Sequence, residues 1–176
     1  SKLLFKSGKK RRSQRVLEQS WMTSKHPDTI EQLIAVTAND EPVDRYRMAQ
    51  KIISQNLDAD TASILARYAL EAKLWGEARK HIELTLRERS SVAACKMMAA
   101  IEDEEQSVSD AAREWQGKML TAAADKAWVC SNCHANSDSW SPTCQNCGEF
   151  DQIEWQFPAA LTEAKARVLP MQTVPL

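Results

Sequence analysis

Four cysteines between residues 130 and 147 form two pairs, and each pair has two residues between its members. Cys130 and Cys133 make the first pair, Cys144 and Cys147 make the second, and ten residues separate the pairs. Two intervening residues let one tight turn aim both sulfurs at the same point. The longer arm returns the chain, so that the second pair completes a tetrahedron around one ion. This spacing predicts a tetrathiolate metal site.

The expected ion is zinc. Tetrathiolate coordination favours zinc or iron, and nothing near the cysteines suggests the electron-transfer partner that iron would serve, so iron is the alternative. Two disulfides are the rival interpretation, but no signal peptide is recognisable and the two-residue separation suits metal knuckles better. Four protein ligands leave no position for water or substrate, so the predicted site is structural and not catalytic.

The residue after each cysteine pair closes a tight turn that often requires a positive φ. Gly148 follows the second pair and adopts such a conformation readily, whereas His134 follows the first pair and tolerates it less well. With four cysteines available, His134 is expected to be a turn residue, and the role of spare ligand is its alternative.

A small β module is predicted around the cysteines. Ile153, Trp155 and Phe157 alternate with polar residues, which predicts a strand with one apolar face, and Trp128 with Val129 is expected to supply the opposing strand. The aromatic residues of this region are expected to shield the metal, with base stacking as the alternative role. They are Trp128, Trp140, Phe150, Trp155 and Phe157.

Composition bounds the remainder of the chain. A length of 176 residues allows one or two domains with a real core, and the formal net charge of −1 shows no basic excess that would favour nucleic acid. Only four glycines disfavour a loop-rich β protein or a phosphate-binding loop. No apolar stretch approaches the roughly 18 residues that span a bilayer, so we expect a soluble chain in a reducing compartment. Its first residue is not methionine, which indicates a piece of a longer protein.

Residues 1–25 are predicted to form a basic helix, the end of a preceding repeat. Val16, Leu17 and Trp21 give it one apolar face. The expected role is a solvated helix that packs on the next one, and binding to anionic lipid or nucleic acid is the alternative. The basic residues before the first acidic one are Lys2, Lys6, Lys9, Lys10, Arg11, Arg12 and Arg15.

Residues 26–126 are predicted to be helical, with short connections that make neighbouring helices antiparallel. Helix starts are indicated by a capping pattern at Asp28 and Glu31, and by a break with a cap at Asp58. The predicted helices are a pair within 28–56, then 60–73 with 75–89, and 92–105 with 108–123.

The last two helix pairs repeat at a period of 33 residues. Equivalent positions are Ala62 and Cys95, Leu65 and Met98, Ala66 and Ala99, Ala78 and Ala111, Ile82 and Trp115, and Leu86 and Met119. The alternation of small and large residues resembles the tetratricopeptide repeat, whose period is 34. Ala69 becomes Glu102 in the next unit, and the pair within 28–56 fits poorly, so about three degenerate repeats are expected.

Several single residues have structural interpretations. Cys95 is expected to be a buried filler, with a reactive thiol as the alternative. His26 and His81 have no paired base or nucleophile and are expected to be structural. The acidic run 102–105 is expected to be a solvated helix end, although it suits a basic partner.

Helical repeats followed directly by a tetracysteine ribbon resemble the LapB type of bacterial protein and, more closely, the HemY-like proteins of alphaproteobacteria. The resemblance covers roughly residues 26–158. It is carried by residues 26–28, 72–79, 112–115, 128–130, 140–144, 150–151 and 155. It implies a rubredoxin-like knuckle with Cys130, Cys133, Cys144 and Cys147 as ligands. It also implies a membrane anchor outside this chain, a location on the cytoplasmic side of the bacterial inner membrane and a link to late haem biosynthesis.

The sequence therefore predicts a mainly α protein that contains an antiparallel helix-pair solenoid and a small zinc-ribbon module. The predicted division is 1–25, 26–126, 127–158 for the ribbon, and 159–176 for a short helix and tail. The expected function is a non-enzymatic scaffold that holds a protein or peptide in a concave groove. The ribbon is expected to brace the last helix pair through Trp115, Met119 and Leu120. A nucleic-acid-binding ribbon and an iron-bound electron carrier are the alternatives, and no nucleic acid is expected.

Overall fold

The computed structural model describes residues 7–23, 25–37, 41–53, 57–106 and 110–158. The chain divides into two compact units, Ser1–Ala123 and Ala124–Leu176. The predicted helix and tail within 159–176, together with Lys2 and Lys6, lie outside the described residues. So do the side chain of Glu105 and the break at residues 38–40.

The described part of the first unit is helical. Its helices are α1 (Lys10–Thr23), α2 (Pro27–Thr37), α3 (Pro42–Ile53), α4 (Ala59–Glu71), α5 (Trp75–Glu88), α6 (Val92–Gln106) and α7 (Asp110–Met119). The predicted helices at 60–73, 75–89 and 92–105 are confirmed to within two residues, and the last one is shorter than the predicted 108–123. Packing follows the chain order, and α4 contacts α3, α5 and α6.

Local capping chemistry explains where α4 and α6 begin. The Asp58 carboxylate accepts hydrogen bonds from the Thr61 backbone N–H at 2.9 Å and from the Thr61 hydroxyl at 2.7 Å. Thr61 returns the contact by accepting the Asp58 N–H at 2.9 Å, which completes a capping box. Ser91, 33 residues later, accepts the Ala94 N–H at 3.3 Å. Both caps therefore satisfy a backbone donor of the first turn.

Small residues allow α4 and α5 to approach each other closely. Ala62, Ala66 and Ala69 on α4 and Ala78 on α5 are all 0 % exposed. Cys95 is equally buried at the place equivalent to Ala62, as predicted for a filler. Larger side chains from the same helices, such as Tyr68 and Ile82, fill the remaining space of one continuous apolar core.

Only part of the predicted apolar face of α1 is buried. Leu17 and Trp21 lie in the interior, but Val16 is 42 % exposed. Ser13 is buried, and it lies four residues before Leu17 on the same side of the helix. The buried stripe therefore runs through positions 13, 17 and 21, and the prediction for Val16 is wrong.

Glu102 is not a solvated residue, contrary to the prediction for the acidic helix end. It is 7 % exposed, and its carboxylate accepts a hydrogen bond from Arg79 of α5 at 2.7 Å. The same repeat position on α4 holds Ala69, which is fully buried. An ionised group at this interior position requires a partner, and Arg79 supplies the compensating charge. Asp103 and Glu104 are exposed, as predicted.

The described part of the second unit is a small antiparallel sheet. Its strands are β1 (Ala127–Cys130), β2 (Asn136–Ser137) and β3 (Ile153–Gln156), in the order β2-β1-β3. Trp128 pairs with Trp155, and their rings make an edge contact with centroids 5.4 Å apart. The predicted pairing of these two strands is confirmed, whereas β2 was not predicted.

None of the helices in the described ranges combines the length and the apolar character that a bilayer span requires.

Candidate metal centre

The four cysteines of the two pairs converge on one point. Their sulfurs all lie within 4.8 Å of one another, and the group can hold a metal ion. Two contacts cross between the pairs: Cys130 Sγ lies 3.7 Å from Cys147 Sγ, and Cys133 Sγ lies 3.7 Å from Cys144 Sγ. A disulfide requires about 2.05 Å, and all five cysteines of the chain are free thiols. The arrangement therefore suits a shared ion and not paired bridges.

The two cysteine pairs have the same backbone framework. In the first, the Cys130 carbonyl accepts the His134 N–H at 2.8 Å, and the Cys130 N–H reaches the Ala135 carbonyl at 3.0 Å. In the second, the Cys144 carbonyl accepts the Gly148 N–H at 2.9 Å, and the Cys144 N–H reaches the Glu149 carbonyl at 2.9 Å. Each pair is thus a tight knuckle, and the two are related by repetition of the same hydrogen bonds.

The turn after each knuckle has a positive φ, as predicted. Gly148 has a φ of 78°, and His134 has a φ of 59°. Glycine reaches this region without cost, whereas a side chain with a Cβ is strained there. His134 is exposed and is not a member of the four-residue metal cluster, so it serves the turn.

The sulfur ligands differ in their access to solvent. The first cysteine of each knuckle is buried, with Cys130 at 0 % and Cys144 at 4 % exposed. The second cysteine is less protected, since Cys133 is intermediate and Cys147 is exposed. Ile153 of β3 and the ring of Trp128 pack against the buried side. The site is therefore covered from one direction only.

Side-chain amides contact the two less protected sulfurs. Asn132 Nδ2 donates to Cys147 Sγ at 3.7 Å, and Asn146 Nδ2 donates to Cys133 Sγ at 3.5 Å. Each asparagine belongs to one knuckle and reaches the sulfur of the other. These residues were missed in the sequence, although a signal is present, because Asn occupies the position before the second cysteine in both pairs.

Hydrogen bonds favour the thiolate form at part of the site. The Asn146 amide, followed by backbone N–H groups and neighbouring thiols, lowers the pKa of Cys133 to about 6. The backbone N–H of Cys147 is the main cause that lowers the pKa of Cys144. The Cys133 N–H acts in the same sense on Cys130, but burial and adjacent thiols outweigh it and raise the pKa of Cys130 to about 11. Metal binding requires deprotonated sulfur, and a cation among the thiols favours that state.

Four sulfur donors with no oxygen or nitrogen ligand fit zinc or iron. The predicted ligands Cys130, Cys133, Cys144 and Cys147 are thus brought together in one cluster. A fully sulfur-ligated ion has no position for a reactant. What the ion supplies is a covalent tie between the two knuckles.

The predicted aromatic shell is only partly present. Trp128 packs against the sulfur cluster, but Trp140 is 52 % exposed and Phe150 is 71 % exposed. Both lie beside the second knuckle, where Phe150 pairs with Thr143 across an isolated bridge. The expectation that all five aromatic residues cover the metal is therefore wrong for these two.

The remaining sequence candidates lie in the helical unit. His81 is buried on α5, with Nε2 3.1 Å from the Tyr46 hydroxyl, and that hydroxyl donates to Glu77 at 3.2 Å. His26 is buried, and its Nδ1 accepts the Asp28 N–H at 3.1 Å at the start of α2. Both histidines take part in packing and local hydrogen bonds.

Fold and site together define a mainly helical protein with a tetracysteine metal centre on a three-stranded sheet. No family model and no solved structure matches the chain. The chain is similar to the Probable magnetosome protein Mms48 of Magnetospirillum gryphiswaldense, with 30% identity over 121 residues. The aligned part makes up 68% of this chain and 26% of that protein, so the chain spans about a quarter of its length.

Proposed function

We propose that this chain is a non-enzymatic protein-interaction scaffold, in which a structural zinc ion holds the ribbon and helix pairs carry the binding surface. The observation that carries the proposal is the regular spacing of the helices. The first helices of successive pairs begin at Pro27, Ala59 and Val92, and the second helices begin at Pro42, Trp75 and Asp110. Spacings of 32 to 35 residues match a helical repeat.

Contacts between neighbouring pairs support a solenoid of tetratricopeptide type. α4 packs on α5 within its own pair and also on α6 of the next pair. Polar contacts join successive pairs, since Tyr46 of α3 reaches Glu77 of α5, and Arg79 of α5 reaches Glu102 of α6. Repeats that contact only their neighbours leave one extended surface available for a partner.

The binding surface is proposed on the exposed side of the first helices. Arg67 on α4 and Lys96 on α6 are exposed and belong to successive repeats, and Asp60 and Glu71 are exposed on α4. This mixed charge suits a polar peptide or helix, whose specificity would depend on matched charges.

The partner test uses the full-length protein in crosslinking pull-downs from the native membrane fraction. A partner captured by the wild type should be lost on the charge reversals Arg67→Glu and Lys96→Glu. Arg87→Glu on α5 is the matched control, because Arg87 is exposed but lies on a second helix. A captured set that does not change with Arg67→Glu and Lys96→Glu would refute the proposed surface.

A brace between ribbon and helices is part of the proposal. The Ala123 carbonyl accepts the Val92 N–H at 3.1 Å, and the Ala123 N–H donates to the Ser90 carbonyl at 2.9 Å. The chain is thus tied to the start of α6 directly before residues 124–126, which lead into β1. Leu120 is 89 % exposed, so the prediction that it packs on ribbon aromatics is wrong.

Two measurements test the metal and the brace. Elemental analysis and a visible absorption spectrum of the purified chain should show zinc, and a coloured iron centre would favour the electron-carrier alternative. The double variant Cys144→Ser, Cys147→Ser should increase hydrogen exchange in residues 92–123 as well as in the ribbon. Unchanged exchange in 92–123 would remove the brace and leave the metal site intact as a proposal.

The printed name of the similar protein concerns magnetosomes and gives no reaction that could be transferred to this chain. Membrane anchorage and a link to haem biosynthesis stay predictions from the resemblance to HemY-like proteins. Nucleic-acid binding is not favoured, because residues 127–158 contain Asp138, Glu149, Asp151 and Glu154 but neither lysine nor arginine.

A further inference from the structure

Asn132 and Asn146 have equivalent places in the two knuckles, and their side chains cross between them. Asn132 spans 15 residues to Cys147, and Asn146 spans 13 residues to Cys133. Distances of 3.7 and 3.5 Å are ordinary for an N–H donor to sulfur, because sulfur is larger than oxygen. Exposed asparagines of this kind would otherwise be hydrated, so two reciprocal contacts to sulfur need a reason.

The choice of sulfur supplies that reason. Both amides contact the second cysteine of a knuckle, and these are the two sulfurs that solvent can reach. The buried sulfurs of Cys130 and Cys144 are covered instead by Ile153 and Trp128. Every ligand is therefore screened, either by apolar packing or by an amide.

We propose that Asn132 and Asn146 are positioning residues that clasp the two solvent-facing thiolates and slow the loss of a bound metal ion. The inference rests on the proposed metal site and deepens it. An N–H donor to an anionic sulfur makes a charge-assisted hydrogen bond, which lowers the proton affinity of that sulfur. Release of an ion from a closed site begins when a proton or a chelator reaches an exposed ligand, and the amides oppose that step.

The clasp also acts between the knuckles. Because each amide starts in one knuckle and ends at a sulfur of the other, the two contacts hold the cysteine pairs at the spacing an ion requires. Partners outside the ligand set commonly control metal affinity in this way, and their removal typically costs about 10–100-fold in affinity.

The test measures zinc transfer from the loaded full chain to a chromogenic chelator at neutral pH. Asn132→Ala and Asn146→Ala should each release zinc roughly 10-fold faster than the wild type. Asn132→Asp and Asn146→Asp should be faster still, because they keep the shape, lose the donor and add a negative charge. Gln145→Ala is the control, since Gln145 is exposed in the same knuckle and makes no sulfur contact in the described structure.

A second readout separates the clasp from general loosening of the ribbon. In the cobalt-substituted chain, the sulfur-to-cobalt charge-transfer band should shift in Asn132→Ala and Asn146→Ala but not in Gln145→Ala. Release rates and spectra of the asparagine variants equal to those of the control would overturn the inference while leaving the metal site in place. A wild type that binds no metal would instead overturn the proposed site itself.

Discussion

Arg79 on α5 and Glu102 on α6 form a largely buried ion pair, with Arg79 Nη1 2.7 Å from Glu102 Oε1. The carboxylate occupies the place that Ala69 fills in the preceding repeat. A position that is apolar in one repeat is thus charged in the next, and a partner from the neighbouring helix makes this possible. The pair links two helices that belong to different repeats.

Removing the arginine alone should be costly. Arg79→Met leaves the Glu102 carboxylate buried without its cation, and we expect about 3 kcal/mol lower stability in urea unfolding. Adding Glu102→Ala should recover most of this loss, because it restores the pattern of the preceding repeat. Lys80→Met is the control, since Lys80 is exposed and its 3.8 Å ion pair with Glu77 should contribute about 0–1 kcal/mol. Equal effects of Arg79→Met and Lys80→Met would contradict the prediction.

The stability of the helical unit should decrease as the pH falls from 7.5 to 5.5. Burial lowers the pKa of His81, with Glu77 opposing and Lys80 reinforcing the shift, so the folded state binds the proton less readily than the unfolded state. Stability is therefore complete above the unfolded pKa of about 6.5 and is lost as the pH falls below it. Thermal unfolding at both pH values measures the change.

His81→Gln keeps a donor but does not titrate, so its stability should depend less on pH over the same interval. Burial also lowers the pKa of His26, which accounts for part of the remaining dependence. Identical pH profiles for His81→Gln and the wild type would show that the buried imidazole does not control this response.

The cap of α4 offers a third prediction. Asp58→Ala removes the capping box and the 2.8 Å ion pair with Lys25, and we expect a loss of about 1–2 kcal/mol. Asp58→Asn should cost much less, because asparagine caps well and only the exposed ion pair is lost. Asp60→Ala on the first turn is the control. If Asp58→Asn were as damaging as Asp58→Ala in urea unfolding, the ion pair and not the cap would dominate.

The same cap has an acid limit. The ammonium of Lys25 and the Thr61 N–H outweigh burial and lower the pKa of Asp58. Its contribution is therefore present above the unfolded pKa of about 4 and is lost as the pH falls through the lower folded value.

The two knuckle turns should respond in opposite directions to substitution. His134→Gly removes the strain of a φ of 59° and should stabilise the ribbon by roughly 0.5–1 kcal/mol. Gly148→Ala should destabilise it by about 1 kcal/mol. The cause is conformational and not steric, since no atom lies within 4 Å of the added Cβ. Chelator-induced unfolding of the ribbon compares both with the wild type, and a destabilised His134→Gly variant would contradict the argument.

Features governed by local chemistry were predictable from the sequence. The Asp58 cap, the strand alternation around Trp155 and the cysteine spacing all act within a few residues. By contrast, β2 contains only Asn136 and Ser137, which carry no apolar alternation. Such a short polar strand becomes visible only when β1 is in place beside it.

Features that depend on distant partners were mispredicted or missed. Glu102 looked solvated because Arg79 lies 23 residues away, and no local pattern shows that an arginine will cover it. The asparagine contacts were missed for the same reason, since each amide meets a sulfur of the opposite knuckle. Trp140 and Phe150 were assigned to a shell by proximity in sequence, but burial depends on the direction in which each side chain leaves the backbone.

The graded accessibility of the cysteines makes the chain its own reporter. Cys147 faces solvent, whereas Cys95 is sealed inside the helices at 0 % exposure. An alkylating reagent would therefore modify the ribbon thiols when the ion departs and reach Cys95 only when the helices open. One time course of mass increments would resolve demetallation and global unfolding as separate events without any engineered probe.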